Sequence, residues 1–200
     1  KISKGISEHE LDTTTTWYLS EDNTIEANDK VVAFIDSLEI SSLLKYNPEI
    51  NHTSSDGQKF NMKSNIHSTN AGYSFKYFGT AKGVSVYTFI DESHKLFYST
   101  VINVNERESG YVIDGLMHND VVKSTIHSTD THGFSEVIFG LTHLLGFSFA
   151  PRIKNFKDQQ LYGVHSPKYY QQKGYQLTPK RKINFEIIQE NWDDILRFIL

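Results

Sequence analysis

Apolar residues recur at helical spacing between Thr24 and Ile40, where Ile25, Val31, Val32, Ile35 and Leu38 share a face and Thr24 is a candidate cap. Around Asp56 the period shortens to two, with Phe60 and Met62 on one side, as in a half-buried strand. Two β-rich runs follow, Val84 to Ile90 and Leu96 to Val104, separated by Asp91-Glu92-Ser93-His94-Lys95; they predict an antiparallel hairpin. Glu108 to Met117 returns to helical spacing, with Val112, Ile113, Leu116 and Met117 inward. Val121 to Ser128 reads as a strand. Phe134 to Leu145 reads as a helix burying Val137, Ile138, Leu141, Leu144 and Leu145, with Gly146 suited to the left-handed position at its end. A strand over Phe147 to Ile153 and a helix over Ile183 to Leu200 complete the pattern.

A strand, a hairpin, a helix, a strand, a helix and a strand follow one another in the order of the ribonuclease H-like fold. The expected class is therefore α/β, a mixed sheet flanked by helices, with the first strand beside the fourth. Three parts are expected: a helical lead-in over residues 1–50, an incomplete catalytic core over 51–153, and a basic segment with a helix over 154–200, the start of an insertion.

The 200 residues suffice for one sizeable core, and 38% hydrophobic with 22% charged content excludes wholesale disorder. No apolar stretch reaches the length of a membrane span, so no membrane partner is expected. The chain begins at Lys1, without a signal-peptide pattern, and is read as an excised piece of a longer protein. The lack of cysteine removes thiolate metal sites and suits a cytoplasmic protein. No zinc-ligand spacing stands out among the nine histidines.

The net charge of −4 conceals a strong asymmetry. Residues 1–56 carry 11 acids against 4 Lys or Arg, whereas Pro151 to Lys182 carry 8 basic residues against Asp158 alone. Tyr162, Tyr169, Tyr170 and Tyr175 are interleaved with those cations, a composition suited either to nucleic acid or to an ordinary solvated loop.

Two acids stand in small, polar, glycine-flanked settings: Asp56 in Ser54-Ser55-Asp56-Gly57-Gln58, and Asp130, 74 residues later, in His127-Ser128-Thr129-Asp130-Thr131-His132-Gly133. Taken singly, each has a plain reading as a turn former or helix cap. On adjacent strands the two carboxylates would converge, repel one another, and call for divalent cations. His127 and His132 flank Asp130; each is either structural or a group that orients the acid or meets phosphate.

Several blocks in order resemble the Tn3 family of transposases: Ser55-Asp56-Gly57-Gln58-Lys59-Phe60, Asn70-Ala71-Gly72-Tyr73-Ser74 with Lys76-Tyr77-Phe78-Gly79, Thr129 to Ser135, Leu144 to Ile153, then Lys157-Asp158 and Leu161-Tyr162. The resemblance implies a DDE triad in a ribonuclease H-like domain. Asp56 and Asp130 stand at its first two acids, as catalytic and metal-binding residues. Mg²⁺ is the implied cofactor, with Mn²⁺ able to substitute. Double-stranded DNA with terminal inverted repeats and target DNA are the implied partners, in a homo-oligomer associated with the bacterial nucleoid. The family's third acid, a Glu, is expected outside this chain, since the surroundings of Glu186 and Glu190 do not resemble its block. Lys76, Arg152, Lys154, Lys157, Lys180, Arg181 and Lys182 are candidate DNA contacts. A nuclease that never joins strands, and a non-catalytic DNA-binding module, remain the other readings.

Overall fold

The computed structural model describes residues 5–62, 70–118 and 122–199. Three helices lead in: α1 (Glu8–Tyr18), α2 (Glu21–Ser37) and α3 (Glu39–Leu43). The main sheet and its crossovers follow as β1 (His52–Asn61), β2 (Gly72–Tyr73), α4 (Phe75–Phe78), β3 (Lys82–Asp91), β4 (Leu96–Asn103), α5 (Ser109–Met117), β5 (Ile126–Thr129), α6 (Glu136–Leu144) and β6 (Ser148–Phe149). The chain continues through β7 (Tyr162–Gly163), α7 (Pro167–Gln172), β8 (Arg181–Lys182), α8 (Phe185–Glu190) and α9 (Trp192–Ile199).

In the main sheet the path runs β2-β3-β1-β5-β6, and β4 also pairs with β3. β1, β3 and β4 are antiparallel, whereas β5 runs parallel to β1 and β6 parallel to β5. Leaving aside the short β2, this is the ribonuclease H-like order, and the predicted hairpin is β3–β4. The alternation in β3 places Tyr87 and Phe89 on the covered face. There they join Phe97, Ile102, Val112 and Leu116 of β4 and α5, Val32 of α2 and Ile138 of α6 in one core. Burying side chains of this size is worth roughly 1.5–3 kcal/mol each, which is what holds the crossover helices to the sheet.

Several local expectations change in three dimensions. Ser20, not Thr24, caps α2, because its oxygen accepts from the Asn23 N–H while Thr24 lies inside the first turn. On that helix only Val32 is buried, and Ile25, Val31 and Leu38 are exposed. Met117 and Val137 also face outward, at 51% and 67% exposure, because only about one side of a two-turn helix meets the sheet. Ser135 caps α6, leaving Phe134 before it, and Gly146 takes the expected left-handed conformation, φ +88°. Phe60 is half-exposed on β1. The strand expected from Val121 is confined to Ile126–Thr129, and Val121 itself lies outside the described residues. The last predicted helix is broken into α8 and α9 at Asn191, and neither buries a side chain. The basic segment forms α7 and a second sheet in which β7 and β8 pair in parallel.

A buried polar chain runs beneath the β1–β5 pair. His127 is fully buried; its Nδ1 lies 2.8 Å from Thr53 Oγ1 and its Nε2 lies 2.9 Å from Ser55 Oγ. Thr53 continues to Ser124 at 2.6 Å, and Ser55 continues to the Tyr87 hydroxyl at 2.7 Å. The imidazole is stacked between Phe89 and Phe149. Burial, with a smaller contribution from His52, holds its pKa down to about 4, so the ring is neutral in the fold.

The unfolded chain takes up a proton at this residue below pH about 6.5, whereas the folded chain resists until about pH 4. Stability should therefore be full above pH 6.5 and fall as pH drops, by about 3 kcal/mol near pH 4 from this residue alone. Urea unfolding from pH 7 to pH 4.5 should show a shallower slope for His127→Gln than for the parent. Equal slopes would mean that His127 is not the group that titrates.

Candidate active site

The β1–β5 ladder ends with Ser55 opposite Thr129, so Asp56 and Asp130 come next on neighbouring parallel strands. Their carboxylates do not stand alone. One oxygen each from Asp56, Asp130 and Glu108 lie within 4.8 Å of one another. The order of the strands accounts for the first two, and the third arrives from the β4–α5 junction.

Asp130 is held by the turn that follows it. Its Oδ1 accepts from the backbone N–H of His132 at 2.8 Å and of Gly133 at 3.2 Å, and its Oδ2 lies 2.8 Å from His132 Nδ1. Partial burial opposes ionisation, but these bonds outweigh it and lower the pKa. Gly133 is required by closeness, because a Cβ there would sit 2.7 Å from that of Thr129. Asp56 is exposed, and its Oδ1 accepts from the Gly57 N–H at 2.8 Å.

Glu108 is the functional candidate that sequence reading missed. It occupies the N-cap position of α5 yet makes no capping hydrogen bond. Its carboxylate instead accepts from Lys59 Nζ at 3.0 Å and is only 7% exposed, against 19% for the lysine side chain. Lys59 also lies 4.9 Å from the centre of the Tyr77 ring, as Lys76 does at 4.8 Å. The only local hint was a Glu where a helix start prefers Ser, Thr, Asp or Asn. Gly57 makes the arrangement possible, since a Cβ at that position would collide with the Glu108 carboxylate.

Three carboxylates this close are unfavourable without compensation, and Lys59 supplies one positive charge. Oxygen-only donors suit hard divalent cations such as Mg²⁺ or Mn²⁺ and disfavour softer metals, so the residues present fit a divalent ion. Burial comes first in raising the Tyr87 hydroxyl pKa; its Ser55 hydrogen bond opposes this, and the charges of Glu108, Asp130 and Asp56 add to the rise.

The basic candidates are dispersed. The Arg152 N–H donates to the Thr129 carbonyl at 2.8 Å, which sets this exposed residue beside the end of the Asp130 strand. Lys76 stands at Tyr77, near Lys59. Lys154 and Lys157 are exposed at a 3₁₀ turn, and Lys180, Arg181 and Lys182 lie on or beside β8 of the second sheet. Glu186 and Glu190 are exposed on α8 and belong to no metal-capable cluster among the described residues. No helix among the described residues is long and apolar enough to cross a membrane.

Replacing Gly57 by Ala should cost about 1–3 kcal/mol in chemical denaturation, the usual range for overpacking. In a Glu108→Ala background the same replacement should cost clearly less, since the obstructing carboxylate is gone. The same cost in both backgrounds would show that Gly57 does not accommodate Glu108.

The chain is 32% identical over 198 residues to the transposase for transposon Tn1546 from Enterococcus faecium and 34% identical over 195 residues to that for transposon Tn2501 from Escherichia coli. These alignments cover 98% and 96% of this chain but 19% of each relative, so the chain spans about a fifth of their length. Among solved structures, the Mos1 strand transfer complex matches 88% of this chain and 54% of that one at 13% identity, with a TM-score of 0.33. The model of the Tn3 transposase DDE domain matches residues 1–200, and the chain belongs to that family.

Proposed function

We propose that this chain carries the first two acids of a DDE transposase active site, Asp56 and Asp130. Mg²⁺ would be held between them, with Mn²⁺ able to substitute. The observation that carries the reading is the convergence of these carboxylates at the end of two parallel strands, with Glu108 in reach. The activity proposed for the whole protein is cleavage at transposon ends followed by transfer of the freed 3′-hydroxyl to target DNA. The third acid, a Glu, is assigned to sequence outside this chain. Double-stranded DNA with terminal inverted repeats and target DNA are the proposed partners, acted on by a homo-oligomer at the bacterial nucleoid.

The chain's own residues have distinct tasks. Asp130, ionised and fixed by His132 and two backbone N–H groups, presents a preset ligand arm. Asp56, exposed on the neighbouring strand, faces incoming DNA. Lys59 balances Glu108 and keeps the net repulsion down. Arg152 and Lys76 flank the cluster as phosphate contacts, which position DNA without reading its sequence. Divalent cations bound here would lower the pKa of the attacking water or 3′-hydroxyl and stabilise charge on the phosphate. Lys154, Lys157, Lys180, Arg181 and Lys182 extend the phosphate-binding surface along the basic segment.

Mn²⁺ binding to the 200-residue chain, followed by calorimetry or paramagnetic resonance, should weaken on the order of tenfold or more on Asp56→Asn or Asp130→Asn. The chain by itself should not cleave DNA, two triad acids being too few to hold both cations in place. Binding unaffected by either change would refute the metal site. Robust metal-dependent nicking, lost in Asp130→Asn, would instead place a complete set of ligands within this chain.

Replacing Lys180, Arg181 and Lys182 together by Ala should weaken binding to all duplexes alike. It should also flatten the plot of log affinity against log salt by about 0.9 per lost contact. A salt titration with an unchanged slope would remove this segment from the DNA surface.

A further inference from the structure

Beside the carboxylate cluster lies a cleft of about 320 Å³, lined among others by Lys59, Tyr77, Arg107, Glu108, His132 and Phe134. Cleft and cluster share a wall. Glu108 belongs to both, Lys59 is bonded to Glu108, and His132 is bonded to Asp130. A phosphate at the acids would therefore have its neighbouring nucleotide within reach of the cleft.

The lining pairs aromatic faces with cations. Tyr77 is 44% exposed, and Phe134 is half-buried and held edge-to-face against Phe139, ring centres 5.6 Å apart. The rim acid Glu106 is engaged by the Tyr111 hydroxyl. Arg107 is exposed and makes no ion pair among the described residues. A volume near 320 Å³ sits at the small end of ligand sites, a size suited to a single nucleotide. Partly exposed aromatic rings, Tyr77 with the ammonium groups of Lys59 and Lys76 over it, beside the Arg107 guanidinium match the chemistry of a single nucleotide, whose base stacks and whose phosphate is anionic.

We propose that this cleft receives one unpaired nucleotide of the DNA strand, adjoining the phosphate at the carboxylates, with its base against Tyr77 and Phe134 and its phosphate at Arg107. This rests on the reading of the Asp56–Asp130 cluster as a DNA-processing centre. Base stacking on protein aromatics is worth about 1–3 kcal/mol per base, so each aromatic should contribute about fivefold or more to affinity.

The test uses the 200-residue chain, a short single-stranded oligonucleotide carrying one 2-aminopurine, and a fully paired duplex of the same sequence, all without metal. Stacking should quench the 2-aminopurine on binding. Tyr77→Leu and Phe134→Leu, which keep bulk but remove the ring face, should reduce the quench and weaken single-strand affinity about fivefold or more while leaving duplex affinity unchanged. Arg107→Ala, at an exposed position that folding tolerates, should weaken single-strand binding and flatten its salt slope by about 0.7. Undiminished quenching and an unchanged slope in these variants would overturn the proposal, as would equal losses on the duplex. Because no metal is present, the result is independent of whether Asp56 and Asp130 bind one. A cleft that stacks bases beside acids that bind no metal would refute the catalytic reading alone.

Discussion

The parallel pairing of β1 with β5 is the constraint on which the rest of the site depends. Asp56 and Asp130 are 74 residues apart in the chain, and they meet only because Ser55 is registered against Thr129. A slip by one residue would turn the side chains of one strand to the opposite face and separate the acids. What opposes a slip is the buried ring of His127, which bridges Thr53 and Ser55 on the neighbouring strand. A buried polar group is costly when unpaired, so other registers that leave the imidazole without partners are disfavoured. The same ring completes the aromatic stack between Phe89 and Phe149, which ties the polar chain to the hydrophobic core. Register specificity and core packing thus converge on one side chain.

Placing three carboxylates within 4.8 Å works against stability, and the surrounding residues reduce the cost. Each acid is treated differently. Asp130 receives two backbone N–H bonds and a histidine, Glu108 receives a lysine, and Asp56 remains exposed to water. The small residues around them serve the same end. Gly57 leaves room for Glu108, and Gly133 allows the turn that caps Asp130 to pass close over Thr129. The glycine-flanked acid motifs are therefore explained by close packing of charged groups as much as by backbone freedom.

A second ionic arrangement anchors the lead-in. Lys95, nearly buried in the β3–β4 turn, bonds to Asp91 of β3 at 2.9 Å and to Asp36 of α2. Burial disfavours its charge, but the two carboxylates prevail and raise its pKa. Asn28 adds a bond from α2 to the Leu96 carbonyl at 3.0 Å. With Val32 as the only buried side chain on α2, these polar contacts carry much of the attachment of that helix to the sheet. This explains why the hydrophobic periodicity of Thr24 to Ile40 overstated how much of the helix is covered.

The sequence by itself determined what depends on neighbours along the chain. Alternation in Val84 to Ile90 and the polar loop after it specify the hairpin, whose buried face is Tyr87 and Phe89. The succession of elements specifies the topology, and the blocks around Asp56 and Asp130 specify the family. Element ends were less legible, because Ser20 and Ser135 compete with nearby residues as caps and short strands such as β5 and β6 carry too few residues for a period. Only the tertiary structure decided that Glu108 joins the two aspartates and that Lys59, 49 residues away in the chain, pairs with it. The physical reason is that such contacts depend on strand register and on the angle at which α5 packs, neither of which leaves a periodic trace in the sequence. The same holds for the cleft at Tyr77, Arg107 and Phe134, whose walls come from separate parts of the chain and meet only when the sheet has formed.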